Sequence, residues 1–405
     1  MTTTTDTLRF ATAGSVDDGK STLVGRLLHD SKSVLTDQLE AVERASADRG
    51  QHTPDLALLT DGLRAEREQG ITIDVAYRYF ATPHRRFILA DTPGHVQYTR
   101  NMVTGASTAE LTIILVDARN GIVEQTRRHA AIATLLRVPH VVLAVNKMDL
   151  VDYQEPEFDR IVADFAGHAA ELGLPSFTPI PVSALVGDNV VERSAAMDWY
   201  TGPALLEFLE TVPVTADPAD APARFPVQYV IRHGDVRRYA GQLVSGALRV
   251  GDRVTVHPSG ATSEITAIDV LGEEVAAAHA PQSIGLCLAD QRDVSRGDLI
   301  SAGVDAPALT RNVTAAVCHL ADRPLRTGDR VLLKHTTRTV RAVVESLGDA
   351  TELSANDLGR ITLRTAEPLA LDDYAVSRRT GAFILIDPAD GATLTAGMAR
   401  VGSPA

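Results

Sequence analysis

The chain has 405 residues and a formal net charge of −13, with 44% hydrophobic and 22% charged residues. At about 150 residues per domain, this length predicts two or three domains, and the composition is that of an ordinary soluble protein with sizeable cores. The acidic balance argues against non-specific binding to nucleic acid or to an anionic membrane as the main activity.

The N-terminus is a polar, threonine-rich tail without the basic and apolar regions of a signal peptide. No apolar run approaches the ~18 residues that are needed to span a bilayer. The two cysteines, Cys287 and Cys318, lie in apolar, strand-like contexts, which predicts buried thiols rather than a disulfide or a metal site. Because disulfides are rare in the cytoplasm, we expect a cytoplasmic protein.

The first chemically informative segment is an eight-residue loop, residues 14–21, between a predicted strand and the start of a predicted helix. It matches the phosphate-loop pattern Gly-x-x-x-x-Gly-Lys-Ser in the context that this pattern requires. Gly14 and Gly19 let backbone N–H groups approach phosphates without a Cβ in the way. Lys20 is expected to reach the β- and γ-phosphates, and the hydroxyl of Ser21 to bind Mg²⁺.

Two carboxylates, Asp17 and Asp18, lie in this loop, although carboxylates repel phosphate oxygens. We expect both side chains to point to solvent. The alternative is that Asp17 helps to hold a metal ion beside the phosphates.

The next segment is the run Glu-Gln-Gly-Ile-Thr-Ile at residues 68–73, where a charged approach ends at Gly70 and an alternating strand begins. Thr72 is a candidate second hydroxyl ligand to Mg²⁺, ordered only while a γ-phosphate is present. The alternative is a β-branched residue at a strand start with no role in metal binding.

A further segment, Asp91-Thr92-Pro93-Gly94, follows an apolar run that is typical of a buried strand. Asp91 ends that strand, where a carboxylate can hold the Mg²⁺ shell directly or through water. Gly94 offers a backbone N–H to the γ-phosphate and permits rearrangement when that phosphate leaves. His95 is placed to orient an attacking water or to polarise it, and the sequence leaves both roles open.

The segment Asn146-Lys147-Met148-Asp149 also follows a buried-strand run. Asp149 can accept two hydrogen bonds from the N1–H and the exocyclic amine of guanine, a pair of donors that adenine lacks. Asn146 can bond the N7 edge of the base, and the stem of Lys147 can lie over the ring. Ser183 and Ala184 are candidates for backbone N–H contacts to the guanine O6.

The chain changes character near residue 211. Up to there strand and helix signals alternate, as in a doubly wound α/β domain that binds its ligand at the carboxyl ends of the strands. Residues 212–222 are rich in proline and acid and predict a linker. The rest predicts short strands and Gly-Asp turns, which suit two small antiparallel β-barrels. The predicted domains are a P-loop GTPase domain over residues 1–211 and barrels over residues 224–305 and 311–405.

These features resemble the translation-factor class of GTPases. Within that class, five runs resemble the large, GTP-hydrolysing subunit of bacterial sulfate adenylyltransferase, and these are residues 14–23, 63–77, 97–102, 125–129 and 378–387. The similarity extends over nearly the whole chain. Residue by residue, it implies GTP contacts at Gly14, Ser15, Val16, Asp17, Asp18, Gly19, Lys20, Ser21, Thr22, Asp91, Thr92, Pro93, Gly94, His95, Asn146, Lys147, Met148, Asp149, Ser183 and Ala184.

The resemblance implies GTP and Mg²⁺ as cofactors, with Ser21, Thr72 and Asp91 as metal ligands and His95 as the catalytic residue that orders water. It also implies a partner, the small catalytic subunit, in a heterodimer or a larger assembly of heterodimers. In that family the small subunit joins ATP and sulfate into adenosine 5′-phosphosulfate and pyrophosphate, and GTP hydrolysis drives this uphill synthesis. No nucleic acid or membrane partner is expected. Some members continue into an adenylylsulfate kinase domain, and that kinase activity is not expected of a chain ending at Ala405.

Two other functions share the predicted fold. A translation elongation factor-like GTPase would deliver aminoacyl-tRNA, and the GTP segments by themselves do not distinguish it from a sulfate-activating subunit. The subunit-like runs favour sulfate activation. A regulatory GTPase that acts only as a switch is the third possibility, and the resemblance through the barrels disfavours it.

Overall fold

A computed structural model of the chain describes residues 6–31, 40, 42, 44, 46, 56–59, 75–94, 99–214, 221–234, 236–290, 292–303 and 305–401. The chain divides into two compact units, a first unit over residues 1–215 and a second unit over residues 216–405. Across the described ranges, no helix has both the length and the apolar character needed to cross a membrane. Thr72 and His95 lie outside the described residues.

The first unit is an α/β fold. Its described strands are β1 (Thr7–Gly14), β2 (Ala76–Ala81), β3 (Arg86–Asp91), β4 (Leu111–Asp117), β5 (His140–Asn146) and β6 (Thr178–Pro181). Its described α-helices are α1 (Lys20–Asp30), α2 (Thr99–Ser107), α3 (Glu124–Leu135), α4 (Glu155–Leu172) and α5 (Leu205–Thr211). The strands form one sheet in the order β2–β3–β1–β4–β5–β6, parallel except for the antiparallel pair β2–β3.

The apolar runs that predict buried strands form the centre of this sheet. All seven residues of β4 are buried, as expected for a parallel strand that is covered on both faces. Phe10, Phe87 and Leu115 of three neighbouring strands share one hydrophobic core with Leu23 and Leu27 of α1. Parallel pairing therefore brings the carboxyl ends of β1, β3, β4 and β5 to one edge of the sheet, where ligands of open α/β sheets bind.

A buried arginine anchors the turn between β2 and β3. Arg85 is 8% exposed, and its Nη1 donates to the carbonyl oxygens of Leu209 at 2.9 Å and Val212 at 2.6 Å. These carbonyls lie at the C-terminal end of α5, where unpaired oxygens and the helix dipole favour a cation. Nothing in the local sequence pattern predicted this contact, because Arg85 and its acceptors lie far apart along the chain.

The second unit is built of β-strands. Its first ten strands are β7 (Ala223–Pro226), β8 (Tyr229–His233), β9 (Val236–Gln242), β10 (Ala247–Arg249), β11 (Arg253–His257), β12 (Ala261–Val270), β13 (Glu273–Val275), β14 (Ala277–His279), β15 (Ser283–Leu288) and β16 (Leu299–Ala302). Eight of them form an antiparallel sheet in the order β7–β16–β11–β12–β15–β9–β8, with β13 paired to β12. This sheet encloses its own hydrophobic core, which includes Phe225, Tyr239 and Leu286.

The remaining strands form a closed barrel in the order β17–β22–β20–β19–β23–β24. They are β17 (Ala308–His319), β18 (Leu325–Arg326), β19 (Arg330–His335), β20 (Arg338–Ser346), β21 (Glu352–Leu353), β22 (Leu358–Leu371), β23 (Ala382–Ile386) and β24 (Thr393–Arg400), of which β18 and β21 pair separately. The barrel has a separate core around Leu333, Leu363 and Leu385. The predicted fold class, an α/β GTPase fold followed by two small antiparallel β-barrels, is confirmed.

Two ion pairs join the two barrels of the second unit, and only the first of them has a buried arginine. Arg224 of β7 contacts Asp372, just after β22, through Nε and Nη2 at 2.9 Å each. Arg338 of β20 contacts Asp298, just before β16, at 3.1 Å.

Both cysteines are free thiols, and Cys318 is buried as predicted, whereas Cys287 is partly exposed.

Candidate functional site

The phosphate-loop segment connects β1 to α1 at the carboxyl edge of the first sheet. Gly19 caps the N-terminus of α1 with a φ of 91°, a left-handed conformation that disfavours other residues. A Cβ at Gly19 would also lie 2.5 Å from Nδ2 of Asn146. The glycine is thus required both by its own backbone and by the packing of a second loop against it. Val16, Ser21 and Thr22 of the same segment are partly buried.

Lys20 lies inside this loop. The residue is 7% exposed, and its Nζ donates to the carbonyl oxygens of Gly14 at 2.9 Å and Ser15 at 2.8 Å. Burial lowers the pKa of Lys20, while the nearby carboxylates of Asp91, Asp18 and Asp17 oppose that shift. The ammonium group is therefore held where a loop-bound anion would meet it, by backbone oxygens that an anion could replace.

The structure corrects the expectation for the two loop carboxylates. Asp17 is exposed as expected, at a φ of 67°, but Asp18 is 5% exposed and does not point to solvent. Oδ2 of Asp18 accepts from the backbone N–H of Ser15 at 2.5 Å. Burial raises the pKa of Asp18, and the Ser15 hydrogen bond and the Lys20 charge counteract that rise. The prediction failed because it considered only phosphate repulsion and not the donors inside the loop.

The Asp-Thr-Pro-Gly segment packs directly against the phosphate loop. Oδ1 of buried Asp91 accepts from the hydroxyl of Thr12 at 2.9 Å, and the hydroxyl of Thr92 donates to the carbonyl oxygen of Thr12. A Cβ at Gly94 would lie 2.4 Å from Nζ of Lys20 and 2.7 Å from the carbonyl oxygen of Gly14. Only glycine fits this approach, so the structure brings the second segment into contact with the first.

The Asn-Lys-Met-Asp segment joins two other loops through Asn146. Its Nδ2 donates to the carbonyl oxygen of Asp18 at 2.7 Å, and its Oδ1 accepts from the backbone N–H of Ala184 at 2.9 Å. This side chain is 2% exposed. The sequence suggested a contact with the base, whereas the structure shows a tether between the phosphate loop and the loop at residues 183–184. The direct base contact of Asn146 stays a prediction.

Asp149 and Ser183 meet at the same edge of the sheet. The Ser183 hydroxyl donates to Oδ1 of Asp149 at 2.6 Å, and Ser183 is fully buried while Asp149 is partly exposed. Ala184, beside Ser183, is also buried, and Met148 packs its side chain into the core. One carboxylate oxygen is thereby fixed in direction by a buried donor. A carboxylate oriented in this way is suited to accept hydrogen bonds from a planar ligand edge.

Lys147 connects this segment back to the phosphate loop. It adopts a left-handed conformation with a φ of 63°, and its Nζ donates to the carbonyl oxygen of Asp17. The same Nζ forms an ion pair with Oδ2 of Asp117 at 2.9 Å. Asp117, at the end of β4, was not among the predicted site residues. The signal was present, because Asp117 ends an apolar strand just as Asp91 does.

The described part of the chain contains no cluster of three His, Cys, Asp or Glu side chains that could hold a metal ion. Two of the three predicted metal ligands are described: Ser21 at the start of α1 and Asp91 at the end of β3. A hydroxyl and a single carboxylate are hard oxygen donors of the kind that Mg²⁺ uses together with substrate phosphates. The donor set therefore fits a phosphate-bound Mg²⁺ better than an all-protein metal centre.

Family comparisons match both parts of the chain. A family described as the elongation factor Tu GTP binding domain matches residues 5–215. A second family, described as GTP-eEF1A C-terminal domain-like, matches residues 312–400. The GTPase segments identified above all fall within the first of these matches.

Individual proteins are similar over almost the full chain. The bifunctional enzyme CysN/CysC of Mycobacterium tuberculosis is 54% identical over 424 residues, which cover 99% of this chain and 69% of that protein. Sulfate adenylyltransferase subunit 1 of Bacteroides fragilis is 49% identical over 408 residues, covering 97% and 86% respectively. Among solved structures, the GTPase-like domain of S. cerevisiae Ski7, bound to GDP and inorganic phosphate, superposes with a TM-score of 0.56 at 16% identity, covering 98% of this chain and 97% of that one. At that identity the likeness shows the fold alone.

Proposed function

The chain belongs to the sulfate adenylyltransferase subunit 1 family, and we propose that it binds and hydrolyses GTP to drive the adenylation of sulfate by ATP on a small partner subunit. The product of that reaction would be adenosine 5′-phosphosulfate, with release of pyrophosphate. The observation that carries the proposal is the meeting of Lys20, Gly94 and Asn146 at one sheet edge, since it joins three loops that read different parts of a nucleotide.

In this proposal the phosphate loop binds the triphosphate. The backbone N–H groups of the loop and the start of α1 supply donors and the positive end of the helix dipole. The ammonium group of Lys20 would exchange its contacts with Gly14 and Ser15 for contacts with phosphate oxygens. Gly94, which has room for no side chain beside Lys20, would donate its backbone N–H to the γ-phosphate.

Mg²⁺ is proposed as the cofactor, held by Ser21 and Asp91 and, in the presence of a γ-phosphate, by Thr72. When it is bound, the ion neutralises the charge that accumulates on the phosphate oxygens. The protein contributes the orientation of Asp91, which the Thr12 hydroxyl fixes at 2.9 Å. His95 is proposed to hold the attacking water in line with the γ-phosphate.

Guanine recognition is proposed to rest on Asp149. Its carboxylate, oriented by Ser183 at 2.6 Å, would accept from the N1–H and the exocyclic amine of the base. Xanthine presents a carbonyl in place of that amine. Asp149→Asn is therefore expected to weaken GTP binding about 100-fold relative to xanthosine triphosphate, because each mismatched buried pair leaves a polar group unsatisfied.

Competition titrations with the two triphosphates measure this preference. Asp152→Asn is the matched control, because Asp152 lies nearby and is not assigned to the site. An unchanged preference in Asp149→Asn would mean that guanine is read elsewhere.

The decisive test of the overall function uses the chain together with the small subunit of the same organism. We expect ATP- and sulfate-dependent release of pyrophosphate that rises at least tenfold when GTP is added. A Lys20→Gln variant is expected to abolish the GTP effect while leaving the basal rate of the small subunit intact. Pyrophosphate release without any dependence on GTP, or GTP-dependent binding of aminoacyl-tRNA in its place, would overturn the proposal.

The partner and the location form the remaining part of the proposal. A chain similar to proteins named subunit 1 is proposed to assemble with a second subunit, as a heterodimer or as several heterodimers. A cytoplasmic location is proposed because the two cysteines are free thiols, as is usual in a reducing compartment.

A further inference from the structure

An aspartate outside the three GTP segments contacts one of them, the Asn-Lys-Met-Asp segment, through Lys147. Asp117 ends β4 and pairs in register with Asn146 at the end of the neighbouring strand β5. The residue is 2% exposed. Its carboxylate accepts from Nζ of Lys147 at 2.9 Å, and from the backbone N–H and Nη2 of Arg119 at 2.9 and 2.7 Å.

A buried carboxylate persists only when hydrogen bonds and charges repay its desolvation. Burial alone would raise the pKa of Asp117, but the hydrogen bonds from Arg119 and Lys147 lower it to about 2. The group is therefore ionised throughout the neutral range. A permanent negative charge at this position holds in place the ammonium or guanidinium group that contacts it.

Lys147 is the cation in question, and it is held at both ends. Its backbone adopts the left-handed conformation, and its Nζ lies between Asp117 and the carbonyl oxygen of Asp17 in the phosphate loop. The side chain is 22% exposed, compared with 50% for Arg119. Asp117 thus determines where the stem of Lys147 runs, next to Asp149.

We propose that Asp117 is a positioning residue for GTP, which holds Lys147 extended across the nucleotide site between the base-reading and the phosphate-binding loops. This inference rests on the proposed GTP site. It adds a residue from the end of β4 that acts through Lys147 and does not itself contact the nucleotide. A nucleotide bound under Lys147 then receives the side chain in its final conformation, which reduces the entropy cost of binding.

A purely local role of Asp117 predicts a different result. The carboxylate also caps the turn that follows β4, through the backbone N–H of Arg119. If only this turn matters, Asp117→Asn lowers the melting temperature and leaves GTP binding unchanged, and Arg119→Gln, which keeps the backbone N–H, has little effect on either. If Asp117 acts through Lys147, the effect on GTP depends on whether Lys147 is present.

A double-mutant cycle separates these two roles. Wild type, Asp117→Asn, Lys147→Gln and the double variant are compared by dissociation constants for GTP and GDP and by KM and kcat for GTP hydrolysis. We expect Asp117→Asn to raise the GTP dissociation constant and KM about tenfold with kcat changed less than about twofold. We expect no further loss in the double variant relative to Lys147→Gln.

Two controls accompany the cycle. Asp164→Asn removes an exposed carboxylate of α4 that pairs with Arg160, and it should leave GTP binding unchanged. Arg119→Gln should weaken GTP binding by less than about threefold, since this substitution leaves the Asp117–Lys147 ion pair in place. If Asp117→Asn does not fold, Asp117→Ser, whose hydroxyl can still accept from the Arg119 N–H, takes its place in the cycle.

The proposal fails if Asp117→Asn weakens GTP equally with and without Lys147, or if it changes only the melting temperature. Absence of GTP binding in the wild type would be a different result, because it would overturn the proposed function itself. The two failures are therefore distinguishable.

Discussion

The two units bury charged side chains in contrasting ways. In the first unit, Lys20 is 7% exposed and its ammonium contacts single backbone carbonyl oxygens. In the second unit, Arg224 is 3% exposed and faces Asp372 through two parallel hydrogen bonds of 2.9 Å. Nη1 and Nη2 of Arg224 also donate to the carbonyl oxygens of Ala223 and Asp305, and the Thr380 hydroxyl donates to Asp372 at 2.6 Å.

This difference shows that burial alone does not identify a functional charge. Both sites carry the desolvation cost of buried ions. In the second unit all three guanidinium nitrogens of Arg224 donate to fixed protein partners, which suits a permanent link between barrels. Lys20 is satisfied by carbonyl oxygens, whose place phosphate oxygens can take. Near Lys20 the backbone is also strained, with a φ of 67° at Asp17 and 63° at Lys147.

The largest expected effect comes from removing the buried ion pair between Arg224 and Asp372. Arg224→Met should lower the free energy of unfolding of the second unit by about 3–5 kcal/mol, because it leaves the carboxylate of Asp372 buried without its cation. Arg326→Met is the matched control, since Arg326 and Glu352 form an exposed ion pair, at 62% and 40% exposure, that should contribute less than about 1 kcal/mol.

The single tryptophan makes the Arg224 experiment selective. Trp199 lies in the first unit, where its Nε1 donates to the carbonyl oxygen of Tyr153. Urea unfolding followed by far-ultraviolet circular dichroism should show a transition shifted by Arg224→Met, while the Trp199 fluorescence midpoint stays in place. An Arg224→Met variant no less stable than Arg326→Met would show that the Arg224–Asp372 pair does not hold the barrels together.

The second largest effect is expected from a substitution of Lys20 and concerns GTP hydrolysis. Lys20→Gln should reduce kcat/KM for GTP hydrolysis about 100-fold, because it removes the preorganised cation that we propose for the phosphates. Its free energy of unfolding should fall by less than that of Arg224→Met, since the loss of the buried cation removes a desolvation cost even though Asp18 and Asp91 lose a nearby positive charge. Hydrolysis rates and Trp199 unfolding curves on the same preparation decide this. A destabilisation as large as that of Arg224→Met would show that Lys20 serves to stabilise the fold, as Arg224 does.

Much of the fold was predictable because of local signals. The apolar run of β4 and the similar run of β5 indicate buried parallel strands, and each ends in a polar residue at the same edge of the sheet. That rule, together with the phosphate-loop pattern, was sufficient to group the three GTP segments. The same rule applied to the end of β4 would have identified Asp117.

The contacts that fix the loops could not be predicted in this way. Asn146 bonds the carbonyl oxygen of Asp18, 128 residues away, and Arg224 bonds Asp372, 148 residues away. No periodicity encodes such pairs, because they depend on the tertiary arrangement. Asp18 shows that prediction can also fail over a short distance along the chain. Its carboxylate is buried because the N–H of Ser15, three residues away, donates to it, and its charge alone did not indicate this.

The smallest effect concerns a buried histidine of the first unit and appears as a dependence of stability on pH. His129 of α3 is 1% exposed, and its Nε2 lies 3.1 Å from Nε2 of Gln125. Burial, together with the charges of Lys20 and Arg128, lowers the pKa of His129 to about 3. In the unfolded chain the pKa of His129 is near 6.5. Below that pH the unfolded chain therefore binds a proton at His129 that the folded chain does not bind.

The stabilisation from neutral His129 is therefore complete above about pH 6.5 and is lost as the pH falls, at about 1.4 kcal/mol per pH unit. Between pH 6.5 and 5 the free energy of unfolding reported by Trp199 should fall by about 2 kcal/mol from this group. The window excludes Asp117, because its folded pKa of about 2 and its ordinary pKa of 3.8 both lie below pH 5. His129→Gln should flatten the slope, and the exposed His84→Gln should not. A slope that both variants retain would mean that another group carries the acid sensitivity of the first unit.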